Sequence, residues 1–129
     1  MEVEQHKAKV FVLEKEAFLA HIICRGLTKA GYLARYLPTP ERALDVLAEQ
    51  QPDFLIVATD LRPMGGEEFC RRLQADLAER TFPVFVMSDV AQDIHARWSQ
   101  WFSNFRIIDK PISLRFLIEA MQKHQGQAA

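Results

Sequence analysis

An α/β fold, a doubly wound parallel sheet with helices on both faces, is the class this sequence predicts, and three observations predict it. Short continuous apolar runs alternate with helical stripes along the whole chain. The strongest of those runs does not alternate apolar with polar, so its strand should be covered on both faces, as in a central parallel strand. Proline and glycine punctuation falls between the runs and the stripes. The length of 129 residues favours one domain, 1–129, with a core at about 9–124 and flexible ends at 1–8 and 125–129. A chain that is 49% hydrophobic and 26% charged fills one ordinary core and is not disordered.

Val10-Phe11-Val12-Leu13 is the first strand, and Phe18, Ile22, Ile23 and Leu27 then recur at helical spacing. Gly31 stops that helix at a position suited to a left-handed cap. The second strand, Tyr32 to Leu37, carries Arg35 in its middle, which suits a sheet edge. Thr39-Pro40 reads as an N-cap followed by proline at the first helical position, opening a helix through Ala43, Leu44 and Leu47. Pro52-Asp53 precedes Phe54-Leu55-Ile56-Val57-Ala58, the strongest strand signal. A loop with Pro63, Gly65 and Gly66 leads to a helix carrying Phe69, Cys70, Leu73 and Leu77. Val84 to Met87 is a fourth strand, and a helical stripe follows with Trp98, Trp101, Phe102 and Phe105. Ile107-Ile108 makes a short last strand, and Ser113 caps a final helix using Phe116, Leu117, Ala120 and Met121.

The net charge of -1, without blocks of like charge, argues against a nucleic-acid or membrane partner. No run approaches the ~18 apolar residues of a membrane span, and Met1 to Lys9 lacks the apolar stretch of a signal peptide. Cys24 and Cys70 read as free thiols in a reducing, cytoplasmic compartment. His6, His21, His95 and His124 have no metal-ligand spacing. No Walker loop, dinucleotide fingerprint or nucleophile elbow is present. Nothing therefore points to an enzyme.

In a parallel sheet of this kind, ligands gather at the carboxyl ends of the strands, near the switch in strand order. The residues there are Glu14-Lys15, Ala58-Thr59-Asp60, Ser88-Asp89 and Lys110. Pro52-Asp53, four apolar residues and Ala58, then Met64 and Gly66, Ser88, and Lys110-Pro111 form an ordered set. Over about Lys9 to His124 this set resembles the CheY-like receiver domains of bacterial two-component response regulators. The resemblance implies a flavodoxin-like (βα)5 fold with strand order 2-1-3-4-5. It also implies an acidic pair after the first strand and a phosphoacceptor Asp ending the third, together holding Mg²⁺.

The departures from that pattern matter more. The acidic pair is Glu14-Lys15, and the acceptor position is Ala58, which has no nucleophilic oxygen. Several hard oxygen ligands are needed to hold Mg²⁺ beside a phosphoryl group, so Mg²⁺ binding is expected to be weak or absent. Lys15 could neutralise Glu14 and Asp60 in place of the cation, or point into water. If the third strand ran two residues longer, Asp60 would be the acceptor, working with Mg²⁺; that register shortens the distance to Gly66 and leaves Glu14-Lys15 unexplained. Ser88 and Lys110 match the phosphate-binding residues, while Ile107 stands where the resemblance implies a switch aromatic. An apolar branched side chain there cannot swing a polar tip.

The expectation is a pseudo-receiver: a stand-alone signalling domain of a phosphorelay that has lost its acceptor and acts by binding a protein partner. The surface bearing His95, Arg97, Trp98, Arg106 and Arg115 is the first place to look. It belongs to the face formed by the fourth helix, fifth strand and fifth helix, where receivers also form homodimers.

Overall fold

The computed structural model describes residues 7–58, 66–76, 82–88, 105–109 and 114–128. The apolar runs become five parallel strands, β1 (Lys9–Leu13), β2 (Leu33–Leu37), β3 (Phe54–Ala58), β4 (Val84–Ser88) and β5 (Phe105–Asp109). They pair in the order β2-β1-β3-β4-β5, as the sequence led us to expect. The chain therefore steps outward from β1 to the edge, then returns past β1 to β3, and the winding reverses between these two strands. Val10 to Leu13 and Phe54 to Val57 are all buried, so both faces of the central strands are covered. Burial of each such side chain contributes about 1.5–3 kcal/mol.

Register is set at the start of β3. The Asp53 N–H donates to the Lys9 carbonyl at 2.8 Å, and the Asp53 carboxylate accepts from the Lys9 N–H at 2.7 Å. This pair of hydrogen bonds between strand starts explains why a polar residue precedes so apolar a run. It holds Val12 beside Ile56 and Leu13 beside Val57, and Ile56 in turn lies beside Phe85.

The helices are α1 (Ala17–Lys29), α2 (Pro40–Glu49), α3 (Gly66–Asp76) and a last helix, α4 (Leu114–Ala128), which is the fifth helix of the sequence-based expectation. The stretch expected to form a helix before β5 lies outside the described residues. α1 lies against α4 and α2 against α3, giving a helical layer on each face. Phe54 centres the first of these faces. Its ring meets Tyr32, Phe85 and His124 edge-to-face at centroid distances of 6.2, 5.8 and 5.8 Å. The punctuation also holds. Gly31 takes φ 99°, where a Cβ would be strained, and the Thr39 hydroxyl accepts from the Arg42 N–H at 3.2 Å.

Two expectations are corrected. Phe18 and Ile22 do not share the core-facing stripe of α1. Ala20, Ile23 and Leu27 are buried, whereas Phe18 is 79% and Ile22 40% exposed, because at 100° per residue these two fall on the outward side. Phe105 is not helical; it opens β5 and pairs with Val84. The last helix continues to Ala128, and the Tyr32 hydroxyl donates to Gln125 Oε1 at 2.8 Å. The edge position of β2 agrees with its weak pattern, and Arg35 lies 5.8 Å from the Phe11 ring centroid there.

Candidate functional site

Of the expected residues, Glu14 follows β1, Ala58 ends β3 and Ser88 ends β4, all at carboxyl ends of strands. Leu13 pairs with Val57, the last pair between β1 and β3. Ala58 pairs with Met87; Ser88 ends β4 and pairs with Asp109, the last residue of β5, immediately ahead of Lys110 in sequence.

Glu14 is the most constrained polar group described at this end of the sheet. It is 2% exposed. Its Oε1 accepts the Glu16 N–H at 3.2 Å, which ties the turn from β1 into α1 at a helix start without a side-chain cap of its own. Its Oε2 is buried and accepts from no donor. A carboxylate oxygen withdrawn from water without a hydrogen bond is costly. Its charge also reaches β2. The half-buried Tyr36 phenol is pushed above its ordinary value by burial first, then by the negative charge of Glu14, and then by Cys24. Burial likewise pushes up the Cys24 thiol, a free cysteine on α1. Lys15 is exposed, so it does not share the burial of Glu14.

Comparison with known proteins bears on this arrangement. No family model matches the chain. A curated relative, the two-component response regulator PhoP of Pseudomonas aeruginosa, is 28% identical over 80 residues, 62% of this chain. The match covers only 35% of that longer protein. The chemotaxis protein CheY4 of Vibrio cholerae superposes with a TM-score of 0.82 at 17% identity, covering 92% of this chain and 98% of that one. A CheY-like receiver domain protein from Methanospirillum hungatei gives 0.83 at 13% identity, covering 95% and 96%. The fold is that of CheY-like receiver domains.

In the receiver fold the strand ends are where Mg²⁺ would be held, and the described residues do not fit that ion. At the ends of β1 and β3 the described residues bring one carboxylate, that of Glu14, beside the ammonium of Lys15, and Ala58 brings no side-chain donor atom. Among the described residues no group of three metal-ligating side chains occurs. Asp60 and Lys110 lie outside the described residues, as do His95, Arg97 and Trp98 of the expected partner face and the Lys110-Pro111 bond. Of that face, Arg106 lies in β5 beside Phe85, and Ile107 follows it beside Val86. Arg115 is exposed on α4, paired with Glu119 at 3.5 Å. Among the described residues no helix is long and apolar enough to cross a membrane.

The outward side of α1 was missed. Phe18, His21, Ile22, Arg25 and Lys29 share it. The signal was available in the sequence. Two cations, Arg25 and Lys29, and the polar His21 recur at four-residue spacing through the very stripe that holds Phe18 and Ile22, and a core-facing stripe does not tolerate them.

Proposed function

We propose that this chain is a receiver-like signalling domain of the two-component type that does not use an aspartyl phosphate and acts by binding another protein. The observation that supports this reading is that β3 ends at Ala58, one residue past the Leu13–Val57 pair that closes the register between β1 and β3. A methyl group at that position offers no oxygen for phosphoryl transfer. Lys15, next to Glu14, replaces a second carboxylate with a cation and so opposes a divalent ion. Glu14 is then structural: it fastens the β1–α1 turn through the Glu16 N–H. Ser88 and Lys110 are retained pocket residues without a phosphate to hold. With no chemistry to turn over, the domain is not an enzyme, and its output is a surface offered to a partner.

The test is direct. The chain is incubated with Mg²⁺ and acetyl phosphate and its intact mass measured, with beryllofluoride and tryptophan fluorescence as a parallel probe. No adduct and no fluorescence change are expected. A stoichiometric phosphoryl adduct mapped to Asp60 overturns the reading and makes the chain an ordinary phosphorylated receiver with its acceptor two residues further along.

A further inference from the structure

β2 closes one edge of the sheet, and among the described residues no strand lies beyond it. Its backbone has an unused side. The Leu33 N–H donates to the Ala8 carbonyl at 2.9 Å, so Leu33, and by alternation Arg35 and Leu37, turn their N–H and C=O groups towards β1. Ala34 and Tyr36 turn theirs to the open edge, a template for a further strand.

The side chains beside that edge form a defined pattern. Phe54 meets His124 of α4, so its pairing partner Val10 faces α1 and α4, while Phe11 faces the side of α2. Phe11 pairs with Arg35 and Lys9 with Leu33, which puts all four side chains on that side. Cover there stops short of the start of β2: Leu37 is buried, whereas Leu33 is 50% exposed. Arg35 is held in place, its guanidinium 5.8 Å from the centroid of the Phe11 ring. Lys9 and Arg35 are both exposed, and neither forms an ion pair with another described residue. The carboxylates of α2, Glu41, Asp45 and Glu49, are exposed and pair with neither, and that of Asp53 accepts the Lys9 N–H. A bare leucine thus lies between two cations, alongside an unused strand edge.

We infer that the open edge of β2 takes up an extended segment of a partner protein as an added antiparallel strand, with a carboxylate opposite Arg35 and an apolar side chain opposite Leu33. In that pairing Ala34 and Tyr36 fill the hydrogen-bonded positions. Leu33 and Arg35 fill the positions between, where facing side chains come closest. The main-chain bonds give affinity, and the two side-chain contacts give selectivity. The partner segment therefore carries Asp or Glu two positions before an apolar residue. A second copy of this chain fits poorly. The register that uses both Ala34 and Tyr36 sets Arg35 against Arg35, and like charges directly opposite repel. Arg35 guards the edge against self-pairing while it admits an acidic partner. The inference rests on the partner-binding part of the proposed function and names the kind of partner. It involves none of the strand-end residues, so the adduct assay and the experiment below fail separately.

The full chain is titrated with two synthetic peptides of identical alternating valine–threonine pattern and a single isoleucine, while backbone amides are followed by NMR. One peptide bears Glu, the other Lys, two positions before the isoleucine. The Glu peptide is expected to bind roughly fivefold more tightly, since opposite charges across a strand pair attract where like charges repel. Shifts should run along β2, with slower hydrogen exchange at the Ala34 and Tyr36 amides. Arg35→Glu should reverse the preference between the peptides. Ala34→Pro should abolish binding and keep the pairing with β1, because the N–H it removes faces outward, where an edge strand tolerates proline. Leu33→Ser, at an exposed position, should weaken the Glu peptide and stands in if the proline variant does not fold, which circular dichroism checks. Equal affinity for both peptides, unchanged exchange at Ala34 and Tyr36, or shifts mapped elsewhere overturns the inference. So does self-association of the parent chain abolished by Ala34→Pro, which would make a second copy the occupant.

Discussion

Glu14 and Phe18 stand four positions apart in sequence, and each occupies the surroundings that would suit the other. The carboxylate is buried at the end of the sheet with one oxygen lacking a hydrogen bond. The phenyl ring projects into water from the first turn of α1. Elsewhere the chain obeys the ordinary partition, with Val10 to Leu13 and Phe54 to Val57 inside. A buried polar group and an exposed large apolar group are the informative exceptions on a protein surface. Here they flank a single turn, the one that leads from the carboxyl end of β1 into α1. The difference between them separates two kinds of site: a residue of the fold's inherited pocket, held in place by backbone geometry, and a surface that nothing in the fold requires.

The comparison breaks first if the interior is not closely packed where the outer side of α1 is bare. Phe54→Ala removes the ring that touches Tyr32, Phe85 and His124. It should cost roughly 3–5 kcal/mol in urea unfolding, the largest effect predicted. A loss below about 1 kcal/mol would mean that this face is loosely filled. Next in size is Glu14→Met. An unbranched apolar side chain of similar length removes a buried charge with an unsatisfied oxygen, and stability should rise by about 1–3 kcal/mol despite loss of the Glu16 N–H bond. A fall of that size would show that the carboxylate is held by a cation and would return it to the metal-binding reading.

Legibility in the sequence follows the same division. β1 and β3 could be read because burial on both faces forces a continuous apolar run, and the edge position of β2 because Arg35 interrupts its pattern. The caps at Gly31 and Thr39 could be read because each uses a backbone or hydroxyl property peculiar to its residue type. Phe105 was misplaced because an aromatic residue fits a helical stripe and a short strand equally well, and only pairing with Val84 decides between them. The strand-end residues were legible as an ordered set because each follows an apolar run, and Glu14, Ala58 and Ser88 do fall at the carboxyl ends of their strands. The orphaned oxygen of Glu14 was not legible, since burial of one side-chain atom depends on how the following loop folds over it. Phe18 was assigned inward on hydrophobicity alone, although its neighbours His21 and Arg25 on the same stripe argued for water.

Alkaline titration sharpens the account of Glu14 by a smaller effect. Tyr32 and Tyr36 are raised above an ordinary 10.0, and Cys24 above 9.0, in each case chiefly by burial. These groups are neutral when protonated, so the folded chain holds their protons more tightly than the unfolded one. The resulting stability is fully present below about pH 9 and is lost as pH rises through the folded values. The urea midpoint should therefore fall as pH rises above about 9, with tyrosinate absorbance rising later in the folded chain than in the unfolded one. In Glu14→Met, Tyr36 should titrate at lower pH than in the parent, because the carboxylate that opposes its ionisation is gone. Tyr32, raised by burial alone, should not move and serves as the internal control. An unchanged Tyr36 would mean that burial alone raises it.

The smallest expected effect carries the most weight for the outer face of α1. Phe18→Ser should leave the unfolding free energy within about 0.5 kcal/mol of the parent, as for an exposed position away from any structural feature. This is the counterpart of Phe54→Ala: the same residue type, truncated at two places whose burial differs almost completely. If Phe18→Ser costs more than about 1 kcal/mol, the ring is covered in solution by part of this chain, and α1 has no free apolar surface to offer. If it costs nothing, the ring is maintained for a purpose other than stability, since a large apolar side chain in water contributes nothing to the folded state and adds to the risk of aggregation. Contact with another molecule then remains the physical reason for keeping it there.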